Sequence, residues 1–152
     1  MRADALSDAF RAVGARLEQV FVTEFPERMT FVMTLVDQAR ITVERDENRE
    51  VLIFIGELGI APESRAQAMS NLLMTMNTIW GPTGGLRFGR DADGAFQMLW
   101  DLPYRALDTQ TLGALTESFI DRTRYWTEVV RRGIDPAAVA EGEMATDEII
   151  RA

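Results

Sequence analysis

The 152-residue sequence contains no cysteine, no histidine and no lysine, so all sixteen of its cationic side chains are arginine. Each absence removes a chemistry. Without cysteine there is no disulfide framework and no thiolate nucleophile, and without cysteine and histidine the usual zinc sites are excluded. Ser-His-Asp catalysis goes with histidine; a Schiff-base lysine and the phosphate-binding lysine of a P-loop go with lysine. Long apolar runs are missing too, since no segment approaches the roughly 20 residues that span a bilayer. The stretch Met1 to Ser7 has one arginine and no apolar run, so neither a secretory signal nor a membrane anchor is expected there. The formal charge of −8, with the arginines scattered along the chain, disfavours nucleic acid. A cytoplasmic protein without membrane insertion is expected, in keeping with the lack of cysteine.

What is present is ordinary for a folded domain: 47% hydrophobic and 26% charged residues, enough length for one core. Leu6, Phe10, Val13, Leu17, Val20 and Phe21 recur at steps of three and four and predict a first helix, which Phe25-Pro26-Glu27-Arg28 breaks. Met29 to Val36, Ile41 to Arg45 and Val51 to Ile55 predict three strands, the first two joined by Asp37-Gln38-Ala39. The first and third of these are apolar on both faces. Either helices cover both sides of the sheet, or one side awaits a partner.

Pro62 suits the first turn of a second helix, with Met69, Leu72, Leu73, Met76, Ile79 and Trp80 on one stripe and Gly81-Pro82 at its end. Leu86 to Phe88, then Asp91 to Gly94, then Phe96, Met98, Trp100 and Leu102 at period two predict a β-hairpin turning at Gly94. Asp108 is an N-cap for a third helix bearing Leu112, Leu115, Phe119, Trp126 and Val129, ended by Arg131-Arg132-Gly133. The expected fold is α+β: an antiparallel five-stranded sheet with three helices in the order α-β-β-β-α-β-β-α. One domain is expected over residues 1–132, followed by an acidic tail over 133–152, frayed or forming a short helix.

Three motifs have plainer readings than their chemistry suggests. Asp91-x-Asp93-Gly94 looks like the start of a calcium loop, yet its twelfth position is Leu102 where a glutamate is needed, so it reads as a turn. Gly81 to Gly85 follows a helix, precedes a strand and lacks lysine, so it reads as a connection rather than a phosphate cradle. Carboxylate pairs such as Glu24 with Glu27, or Asp147 with Glu148, read as solvated surface.

The element order, with Leu73-Met74-Thr75-Met76-Asn77, the glycine-rich connection after it, Leu86-Arg87-Phe88-Gly89-Arg90-Asp91 with Gly94, and Leu102-Pro103 before Asp108, resembles the CesT-like (Tir chaperone) family of type III secretion chaperones. The resemblance implies a binding chaperone with no cofactor and no catalysis. Its expected partners are the N-terminal segment of a secreted effector, a second copy of the chain, and, as a further candidate, the ATPase of the secretion apparatus. The effector segment is expected to lie extended, by strand addition and in apolar grooves. Candidate effector contacts are Leu6, Phe10, Val13, Phe31, Met33, Leu52 and Phe54; candidate dimer contacts are Met69, Met74, Met76, Asn77, Trp80, Leu86 and Phe88. The alternative is a regulatory protein-interaction domain of the YbjN-like kind, which shares this order of helices and strands.

Overall fold

The computed structural model describes residues 3–17, 20–36, 39–78 and 84–134. Its elements are α1 (Ala3–Arg16), β1 (Val20–Phe25), β2 (Thr30–Leu35), β3 (Arg40–Asp46), β4 (Val51–Gly59), α2 (Ala66–Met76), β5 (Arg87–Arg90), β6 (Phe96–Pro103) and α3 (Thr109–Arg132). The strands form one antiparallel sheet in the order β1-β2-β3-β4-β6-β5.

The expectation of five strands is corrected to six, and the order to α-β-β-β-β-α-β-β-α. The added strand is β1. The spacing of Val20 and Phe21 from Val13 and Leu17 fits a helical stripe, but α1 stops at Arg16. Val20 to Phe25 is β-branched or aromatic at every position except Glu24, and it pairs with β2 in full register from Val20↔Leu35 to Phe25↔Thr30. A complete ladder outweighs one more helical turn there. The break at Phe25-Pro26-Glu27-Arg28 becomes the reversal between β1 and β2: a single 3₁₀ turn over Pro26–Arg28, closed by Met29 in the left-handed region at φ 49°.

All three helices pack on the same face of the sheet. Phe10 of α1 lies 4.6 Å from the Phe31 ring, Phe119 of α3 lies 5.2 Å from Phe54, and Trp126 of α3 lies 4.8 Å from Phe88. Contacts of this kind add to the burial of large apolar side chains, the main favourable term in folding. α3 crosses β4 at Gly56, where an added methyl would stand 2.7 Å from Thr123 Oγ1, so the helix sits against bare backbone. An ion pair between Arg16 and Glu117 ties α1 to α3. At the other end of the sheet, α2 buries Met69, Leu73 and Met76 beside β5.

The hairpin between β5 and β6 turns as its sequence implies. Gly94 has φ 86°, and the Asp91 carboxylate accepts from the N–H groups of Asp93 at 3.0 Å and Ala95 at 2.8 Å. Asp108 caps α3 by accepting from the Thr111 N–H at 2.7 Å, and Gly133 at φ 68° ends it. Pro62 does not begin α2 itself; it opens a 3₁₀ turn over Glu63–Arg65, and the α-helix starts at Ala66. The expected end of the second helix at Ile79, Trp80, Gly81 and Pro82, and the tail from residue 135 onward, lie outside the described residues.

Candidate functional site: the uncovered sheet face and its edge

Alternation along each strand sends one set of side chains to the helices and the other set away from them. The helix-facing set is Phe31, Met33 and Leu35 on β2, Ile41 and Val43 on β3, Leu52 and Phe54 on β4, and Met98 on β6, all buried. On the opposite side a cross-strand row runs Thr23, Val32, Thr42, Ile55, Leu99, Arg87, and the next runs Phe25, Thr30, Glu44, Ile53, Asp101. Among the described residues no helix covers that side. Val32, Ile53, Ile55 and Leu99 are shielded only by their neighbours. Toward β1 the shielding fails, leaving Phe21 66% and Val36 60% exposed and Phe25 44% exposed. Single exposed apolar residues are common, but Phe21 and Phe25 stand on the same side of one edge strand, with Thr23 between them.

Charge frames this face. Asp101 receives both Arg49, at 2.7 Å, and Arg87, at 2.5 Å, and Arg40 lies 3.8 Å from Glu57. The hydrogen bond to Asp101, with its negative charge, raises the Arg49 pKa further above its ordinary value. Partners matched in this way leave the apolar middle as the adhesive part of the face.

The two edges of the sheet differ. The Val20 N–H donates to Leu17 O at 3.0 Å, and the Leu35 N–H donates to Ala39 O at 2.9 Å, so Val20 and Leu35 face away from each other's strand. Antiparallel alternation then points the N–H and C=O groups of Val22 and Glu24 out of the sheet. Among the described residues no strand lies beyond β1. At β5 the outward groups of Phe88 are occupied. The Asn77 side-chain amide donates to Phe88 O at 2.9 Å, and its carbonyl oxygen accepts from the Phe88 N–H at 2.7 Å.

Two hollows adjoin these edges. An apolar cleft of about 240 Å³ between α2 and β5 is lined by Ser70, Leu73, Met74, Phe88, Gly89 and Phe96, with Arg90 at its margin. A smaller one, about 90 Å³, lies where α1 meets β1 and β2, against Leu6, Phe31 and Met29. Glu24 stands at its side, accepting from Ser7 Oγ at 2.6 Å and from the Arg11 guanidinium at 3.0 Å. That network accounts for Glu24 as a tie between β1 and α1.

The seven candidate effector contacts fall on the covered side. Leu6, Phe10, Val13, Phe31, Met33, Leu52 and Phe54 are each at most 6% exposed and belong to the hydrophobic core. Period two separates the faces of a strand without saying which one helices will cover. The largest side chains went inside. The open face carries Val32, Ile53, Ile55 and Leu99, with Phe21 and Phe25 on the edge, none of them among those seven candidates; Phe21-Thr23-Phe25 alternation is the sequence signal available for the last two. Of the dimer candidates, Met69, Met76, Leu86 and Phe88 are buried, Asn77 holds Phe88, Met74 is 68% exposed at the cleft, and Trp80 lies outside the described residues. The structure therefore gathers Met74 and Phe88 at one cleft.

No curated protein matches the chain by sequence. In fold it is similar to a chain of the HopA1-SchA chaperone-effector complex, at 20% identity and TM-score 0.59, covering 83% of this chain and 95% of that one. It is similar to a chain of the ExsC-ExsE complex at 15% identity and TM-score 0.69, covering 85% and 96%. A third likeness is to the structure of the Yersinia pestis type III secretion chaperone SycH with a stable fragment of YscM2, at 15% identity and TM-score 0.58, covering 79% and 98%. The model of the Tir chaperone protein (CesT) family matches residues 17–127, from the end of the first helix through most of α3, and the chain accordingly belongs to that family.

Proposed function

We propose that this chain is a binding chaperone for a type III secretion effector, holding the effector's N-terminal segment extended and competent for export without any catalytic step. The observation that carries the reading is the sheet face that no helix covers among the described residues, with Val32, Ile53, Ile55 and Leu99 across it, ending at an edge strand whose Val22 and Glu24 peptide groups point outward. An extended segment is the ligand such an edge suits, because main-chain hydrogen bonds supply affinity while alternate side chains find the apolar face. Family membership and the chaperone complexes of similar fold support the same reading. The free energy comes from burying apolar residues of the segment, less the entropy of ordering it, so no nucleotide is required of this chain.

The second part of the reading is a homodimer formed through the α2–β5 cleft. Met74 is exposed there on a flexible thioether stem, above an apolar floor that a second copy would cover. The test is co-expression with the secreted protein encoded beside this chain, followed by purification and mass measurement. A complex of two chaperone chains with one effector, in which the effector's N-terminal region resists hydrogen exchange, is the expected result. A strictly monomeric chain that neither solubilises nor retains any such segment would contradict it.

A further inference from the structure

A sheet edge with unpaired peptide groups is ordinarily guarded by proline, charge, a bulge or a covering element. β1 contains no proline and no arginine, and its register runs unbroken. Its one charge, Glu24, is turned toward α1, where Ser7 and Arg11 hold it. The free part of this edge has definite ends. At one end the Val20 N–H is taken by Leu17 O, and at the other Pro26 has no N–H to give. What remains is residues 21–25, with outward peptide groups at Val22 and Glu24 and with Thr23 at the midpoint. The side chains repeat that symmetry: Phe21 and Phe25 stand two residues either side of Thr23, both exposed on the open face.

A stretch that is symmetric about its own midpoint fits an antiparallel copy of itself. We propose that, in chains holding no effector, β1 pairs with β1 of a second copy across a two-fold axis at Thr23, joining two six-stranded sheets into one. In that register Val22 of each copy exchanges main-chain hydrogen bonds with Glu24 of the other, Thr23 faces Thr23, and Phe21 faces Phe25. Aromatic and threonine pairs are favourable cross-strand neighbours, and no like charges stand directly opposite. The two Glu24 carboxylates are diagonal, and each already accepts from Arg11 at 3.0 Å. The helices leave room. Phe10 lies 4.6 Å from the Phe31 ring, which seats α1 over β2, and the two β2 strands would stand three strand spacings, about 14 Å, apart. Packed helices need only about 8–10 Å. Two such short edges bury far less than the roughly 1,200 Å² of a stable interface, so the pairing is reversible and rises with concentration. It goes beyond the effector reading but uses the same strand, so a second copy and an effector exclude each other there. The α2–β5 cleft lies at the other edge of the sheet, so contact between copies through it is compatible with this one.

The chain has no cysteine, so one introduced thiol reports on one place. Thr23 and Thr34 are both exposed on the open face, the first at the proposed axis and the second on β2 opposite Phe21. Facing residues of a non-hydrogen-bonded pair have Cα atoms about 4.5 Å apart, within disulfide reach, whereas the two Thr34 positions would lie about 14 Å or more apart, beyond it. In the full chain without effector, mild oxidation should link Thr23→Cys into pairs at least about tenfold faster than Thr34→Cys. Added salt should raise that rate by screening the repulsion between chains of charge −8. Equal rates at the two positions would overturn the pairing. Charge variants check the axis without a thiol. Thr23→Arg and Thr23→Glu each set like charges face to face, so each alone should sediment at a lower mass than the native chain at equal concentration, and their equimolar mixture should recover it. A mixture no heavier than either variant alone would overturn the two-fold at Thr23. Co-expressed effector, once bound, should suppress the Thr23→Cys link; a link that persists with effector bound would leave the pairing standing and overturn the placement of the effector on β1.

Discussion

At the scale of single residues, the molecule separates side chains that hold the fold from those free to meet a partner, and the two groups answer differently to substitution. Phe54 is fully buried and touches rings from two helices and from β6. Phe54→Ala should lower stability by about 3–5 kcal/mol, read from the denaturant midpoint. Phe21, two-thirds exposed on the edge strand, should behave in the opposite way. Phe21→Ser is expected to change stability by no more than about 0.5 kcal/mol and yet to weaken retention of an effector segment, measured by titration calorimetry. Glu128 gives a pH signature. Hydrogen bonds from Arg131 and Arg132 hold its carboxyl down to about 2, against an ordinary value of 4.5. A depressed carboxylate contributes stability that is present above the unfolded value and is lost as pH falls through the folded one. The stability of the native chain should therefore decline between pH 4.5 and about 2, and Glu128→Gln should remove part of that decline, followed by thermal unfolding across the range.

At the scale of elements, β4 shows how packing is written into one residue. Nine residues long and central, it carries Gly56 where α3 passes, with Thr123 held in place by its own hydrogen bond to Phe119 O at 2.8 Å. Gly56→Ala forces that β-branched side chain or the helix to move, and should cost about 1–3 kcal/mol by urea unfolding. The hairpin, the Asp108 cap and the glycine after α3 are legible in the sequence because turn and cap chemistry is local: a carboxylate or a positive φ is needed at a fixed offset. β1 is not legible, since Leu17, Val20 and Phe21 fit helical spacing and only the distant partner β2 decides the matter. The covered side of the sheet is hidden for a similar reason. Phe31 and Val32 are both apolar, and the side on which α1 and α3 land is a tertiary outcome. Asn77 reads from the sequence as a contact for a second copy, and the sequence gives no sign of the two hydrogen bonds its amide makes to Phe88, eleven residues on.

At the scale of the whole molecule, three helices lie on one face of a six-stranded sheet; among the described residues the other face, with Val32, Ile53, Ile55 and Leu99 between polar side chains, and the β1 edge are uncovered, on a chain with net charge −8. Self-repulsion between like-charged chains opposes unselective association of such a surface and favours partners with a cationic excess. Capture of the segment should accordingly slow as salt rises, while the dissociation rate, governed by apolar contact, should change little in stopped-flow measurements. On the proposed function, this open face and its β1 edge receive an extended effector segment. Hydrogen exchange on the chaperone bound to its co-expressed effector tests it most directly. New protection at Val22 and Glu24, with Phe88 unchanged, is the expected result; protection confined to the α2–β5 cleft, with β1 exchanging as in the free chain, would contradict it.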